Sequence, residues 1–162
     1  MASYATTLTA TYIQPLTDVE RINGGFNTKF VIPYSFVAQA SATTATDVVT
    51  VTLGSTPANW VVDNARAVVT TAFTSTGTQT LTVQVGSTTS IAAFITAQSV
   101  FTVASLNQAS TLPVLTNATA TAAVSLVATF TNAAAGSPSA CTAGSITILL
   151  DVVDVSSGMF QP

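Results

Sequence analysis

Histidine does not occur in this chain, and cysteine and tryptophan occur once each. Each absence removes chemistry. Proton transfer near neutral pH most often uses an imidazole, so Ser–His–Asp and Cys–His arrangements are excluded outright. Histidine zinc sites go with them, and a lone Cys141 can build neither a thiolate zinc site nor an intrachain disulfide. Cys141 lies in SPSACTAGS, a run that reads as a loop, and is expected to be a bystander thiol.

Charge is the next scarcity. Asp, Glu, Lys and Arg make up 6% of the 162 residues, against about 25% in an ordinary soluble domain. Residues 67–150 contain none of the four. The three basic residues, Arg21, Lys29 and Arg66, are scattered in a chain of net charge −3. Nucleic-acid binding needs clustered cations, so it is not expected. No GxxxxGKS or GxGxxG loop is present to cradle a phosphate. Of the acidic residues, Asp151 and Asp154 are the candidate pair. Three apart on a strand, they fall on opposite faces unless a bulge at 152–153 aligns them. Two carboxylates are few for Ca²⁺, which takes 6–8 oxygens. The expectation is no catalytic residue, no metal site and no cofactor.

Long hydrophobic runs are missing too. The apolar 48% is dispersed, and no stretch approaches the roughly 20 residues that span a bilayer. The opening MASYATTLTATYIQ has neither a basic n-region nor an apolar core, so it reads as no secretion signal. Synthesis in a cytoplasm is expected, without membrane attachment.

What fills the vacancy is threonine, roughly one residue in five. Threonine is β-branched, favours strands, and offers water a hydroxyl without charge. The pattern around it has period two. In QTLTVQV, Leu81, Val83 and Val85 alternate with polar residues, and in DVVTVTL, Val49, Val51 and Leu53 do the same. Val124, Leu126, Ala128 and Phe130 share a face in AVSLVATF, and Phe30, Ile32, Tyr34 and Phe36 form a heavier stripe around Pro33. Proline cannot donate to a ladder, so that strand belongs at an edge or carries a bulge. After Trp60, the spacing turns Ala65, Ala67, Val69, Thr71 and Phe73 inward. In SITILLDVVDV both faces are apolar, which marks a strand that is central or covered. Residues 90–100 read as a short helix capped by Ser90 or as an irregular loop. Turn residues at 54–57, 76–78, 86–90 and 132–138 separate the strands.

The predicted fold is therefore all-β, a two-sheet antiparallel β-sandwich or jelly roll over residues 29–162, preceded by an N-terminal arm or first strand over residues 1–28. The arm is rich in large apolar residues and closes at Asn23-Gly24-Gly25. It is expected to dock on its own domain or on a neighbouring subunit. Tyr4, Tyr12, Ile13, Ile22 and Phe26 are the candidate interface anchors, because aromatic and aliphatic side chains dominate such contacts.

The order of segments resembles a known group. WVVDNARAVVTTAF, then LTVQVG, then STTSIAAFITAQSV, then AVSLVATF and the Gly-led TAGSITILLDVVD are similar to the small jelly-roll virion proteins of tailed bacteriophages, some of which are capsid decoration, or cement, proteins. The likeness covers roughly residues 48–155. The acidic loop of such relatives is here STTS, without a carboxylate, so no ion site carries over. The resemblance implies a virion protein made in host cytoplasm that sits on the outer capsid surface and cements neighbouring capsomers. Its implied partners are the major capsid protein and further copies of itself, as a trimer or dimer. The alternative is a phage spike, fibre or tail component that binds host surface glycan, with Trp60 as the one tryptophan able to stack on a sugar.

Overall fold

A computed structural model describes residues 2–7, 16–17, 25–39, 41–44, 46–58, 60–77, 80–102, 105–106, 122–132 and 136–154. Among the described residues, nine strands form two sheets. The first sheet takes β1 (Ser3–Thr7), β3 (Val48–Thr56), β8 (Val124–Thr131), β5 (Thr82–Ser87) and β6 (Ile95–Ser99), in that spatial order. The second takes β2 (Thr28–Pro33), β9 (Cys141–Asp154), β4 (Trp60–Ser75) and β7 (Ser105–Leu106). Every pairing is antiparallel except β1 with β3. The chain is a two-sheet β-sandwich with one parallel edge strand.

The alternating residues build the core as their spacing predicts. Val49, Val51 and Leu53 from β3 are buried with Leu81, Val83 and Val85 from β5 and the strand's lead-in, facing Ile146, Ile148 and Leu150 of β9. β9 lies between β2 and β4 and is buried on its second face too, at Thr147 and Leu149. β8 is likewise central, and Val127 and Thr129 are buried on the side away from the core. β2 sits at a sheet edge, as Pro33 requires. Its stripe stops sooner than expected. The chain turns into a 3₁₀ segment, Tyr34–Phe36, and Tyr34 becomes exposed.

β4 departs from simple alternation. Between Val69 and Thr71 it carries one residue more than β9, and the register shifts again before Thr74. The first bulge turns Thr71 out to solvent instead of inward, and the second returns Phe73 to the core. Phe73 then meets Phe130 of the opposite sheet, ring centroids 6.1 Å apart and tilted by 38°. This contact depends on Gly144. Its φ is 134°, and a Cβ there would stand 2.5 Å from Phe73 Cγ. Residues 90–100 are neither a helix nor a loop throughout: 90–94 form an irregular loop folded over Gly86, with Phe94 buried and Ile91 exposed, and Ile95–Ser99 pair with β5 as strand β6.

Of the arm, β1 is a sheet strand. Tyr4 packs against the core cluster, and Phe26 is 5% exposed. Two further ties hold this region. Asp47 Oδ1 accepts the Ala2 N–H at 3.1 Å and Oδ2 accepts the Thr44 N–H at 3.0 Å, joining the start of β1 to the turn before β3. Cys141 is not in a loop. It is the first residue of β9 and is buried.

Candidate functional site

Two places combine chemistry with access: a cleft between the sheets, and the carboxylates beside it. The cleft, about 460 Å³, lies where β2, β3, β4, β8 and β9 meet at one end of the sandwich. Phe30, Leu53 and Leu126 form its floor and Trp60, half-buried, stands on its wall. Of its polar side chains, Asn27, Thr28 and Thr56 are already engaged. Asn27 Nδ2 donates to Val152 O at 2.7 Å and to Asp151 Oδ1 at 3.0 Å, while its Oδ1 accepts the Val152 N–H at 3.0 Å. The Thr28 hydroxyl donates to Asn27 Oδ1, and the Thr56 hydroxyl donates to Val124 O. With its own N–H on Leu150 O, Asn27 extends the β2–β9 ladder by means of its side chain. The cleft thus offers an apolar wall and few free hydrogen-bonding groups.

Asp151 is paired differently from the expectation. The bulge lies on β4, where Asp63 is the extra residue between Val62 and Asn64, and β9 pairs residue by residue from Val152 to Asp154. No bulge at 152–153 therefore aligns Asp151 with Asp154. Instead Asp63 comes near Asp151. Burial, and then the Asp63 charge, raise the Asp151 carboxyl above its ordinary value. Asp47 shifts the other way: hydrogen bonds from the Thr44 hydroxyl and N–H, then from the Ala2 N–H, hold it low against the opposing effect of burial. Burial alone pushes the Cys141 thiol up to about 11, which leaves it protonated and unreactive at neutral pH. Among the described residues no three His, Cys, Asp or Glu side chains gather to hold a metal, and no helix is long and apolar enough to cross a membrane.

The five candidate anchors separate. Tyr4 is half-buried on β1 and retains exposed surface, whereas Phe26 is enclosed in the folded chain. Tyr12, Ile13 and Ile22 lie outside the described residues. Sequence reasoning missed the Asp47 tie, the Asn27 staple and the Asp63–Asp151 approach. Asp47 had a local signal, since Thr44 precedes it by the three residues of a side-chain-capped turn. The other two depend on partners 88 to 125 residues apart in the chain, beyond any local pattern. Comparison of the chain with protein-family models, curated protein sequences and solved structures returns no match.

Proposed function

We propose that this chain is a structural virion protein of a tailed bacteriophage, a decoration or cement protein that binds the outer capsid surface and clamps neighbouring capsomers, without enzymatic activity or cofactor. The observation that carries this reading is where the charge-free run falls. Residues 67–150 supply most of β4 and β9 and all of β5, β6, β7 and β8, and β1 and β3 hold no charged residue either, so the five-stranded sheet presents hydroxyls and apolar groups rather than ions, while Lys29, Asp63, Arg66, Asp151 and Asp154 lie on the second sheet. Such a surface recognises a partner by shape and by uncharged hydrogen bonds. A stable contact of that kind buries about 1,200–2,000 Å² in total. The segments on which the resemblance rests fall in β4, β5, β6 with its preceding loop, β8 and β9, the strands that make the two facing layers. Tyr4, Tyr12, Ile13 and Ile22 remain the proposed anchors toward the major capsid protein or another copy. The working location is the virion surface, after synthesis in host cytoplasm.

The test is co-sedimentation of the purified full chain with cognate heads that lack it, followed by electron microscopy. Saturable binding at symmetry-related outer sites is expected. No binding, or turnover of a substrate at a useful rate, overturns the reading.

Trp60 favours one second reading, a spike or fibre domain for host surface glycan, because it lines an open cleft. Against it, the neighbouring amide and hydroxyls are engaged internally. Loss of glycan binding in Trp60→Ala, with the fold intact, would select it over the capsid reading.

A further inference from the structure

A sheet edge exposes unpaired N–H and C=O groups and invites another strand, and proteins commonly guard it with lysine, proline, a bulge or extreme shortness. Among the described strands, three of the four sheet edges carry such a guard. β2 has Lys29 and Pro33. β7 is two residues long. β6 is bulged against β5, with three steps from Ile95 to Gln98 opposite two from Val85 to Val83. β1 has none of these. Its sequence SYATT contains no charge and no proline, its register with β3 runs unbroken from Ser3 to Thr7, and no described strand lies on its outer side.

We propose that the outer edge of β1 is a self-association edge, pairing with β1 of a second copy, antiparallel about Ala5. Backbone direction fits this partner. Ala2 sends both its groups toward β3, its C=O accepting the Val48 N–H at 2.9 Å and its N–H reaching Asp47. Backbone groups alternate in direction along a strand, so Tyr4 and Thr6 also bond toward β3 while Ser3, Ala5 and Thr7 present theirs outward. These outward residues are self-complementary. In a two-fold antiparallel pair centred on Ala5, Ala5 meets its own copy and Ser3 meets Thr7, so each outward group finds an outward partner and exchanges both N–H···O bonds. Between them Tyr4 comes beside Thr6 of the second copy, an aromatic and a β-branched side chain at the closer spacing of a non-hydrogen-bonded pair. No like charges meet, because β1 has none. The Asp47 tie fixes the start of β1 in advance, so the edge is ordered before a partner arrives.

This deepens the oligomeric part of the capsid reading and rests on it only there. Its test uses the isolated full chain and no capsid, so failure here leaves head binding to be judged separately. Light scattering at micromolar concentration should show a dimer. Ala5→Pro deletes an outward N–H and spares the bonds to β3, so it should give a monomer with the parent's melting temperature. Ala5 is exposed, so charge at this position leaves the core untouched. Ala5→Lys should be monomeric at low salt, and mixing it with Ala5→Glu should restore the dimer. A monomeric parent chain, an oligomer whose mass Ala5→Lys leaves unchanged, or a Lys and Glu mixture that fails to associate would overturn the proposal.

Discussion

Single residues decide where the two sheets touch. Gly144 combines a left-handed backbone, which disfavours any side chain, with a Phe73 ring in the space a Cβ would fill. Gly144→Ala should therefore displace Phe73 from Phe130 and destabilise the chain by about 1–3 kcal/mol, read as a lowered midpoint in urea with an unchanged slope. Cys141 illustrates the limit of reading a residue from its neighbours. Its small and polar surroundings suggest a loop, yet it starts a central strand and is buried. A thiol reagent should leave it unlabelled in the native protein at pH 7 and label it fully in denaturant. Rapid native labelling would show that the start of β9 opens. Asp151 is destabilising when charged, because its folded carboxyl titrates above the ordinary value. Stability is gained from it as pH falls through that raised value. Asp151→Asn should accordingly be neutral or slightly stabilising at pH 7, by less than about 1 kcal/mol, since an amide oxygen can still accept the Asn27 bond.

Elements were legible where alternation ran without interruption. β3 and β5 each bury the residues that period two selects, and the doubly apolar β9 is central. β4 was misread at Thr71 because a bulge resets parity by one residue without any mark in composition. The parallel pairing of β1 with β3 was not legible, since nothing local in SYATT specifies a partner 45 residues away. Asp47 is the device that sets it. The folded Asp47 carboxyl titrates below its ordinary value, so its stabilisation is complete above the unfolded value of 3.8 and is lost as pH falls through the lower folded one. Hydrogen exchange should show the β1 amides losing protection in that acidic window before the β9 amides do. Simultaneous loss would mean that Asp47 does not hold β1.

At the scale of the molecule, the candidate site was less legible than the fold. Composition removed the chemistry of histidine, clustered cations and paired cysteines, and the near-absence of charge pointed to contact by shape. In the sequence, the anchors in the arm stand out by size and apolarity. Those properties equally suit a core residue, which is where Phe26 lies. The open edge of β1 emerges only when all four sheet edges are compared, because the guards on β2, β6 and β7 make its plainness informative.

The central claim is that this protein acts on its partner by uncharged surface fit, and the salt dependence of its affinity for cognate heads measures that directly. Contacts between exposed charges weaken as the screening length shrinks from about 10 Å at 0.1 M salt to about 3 Å at 1 M. The affinity should stay level, or rise slightly, across that range. A steep fall would mean that charges carry the contact, and the account would be contradicted.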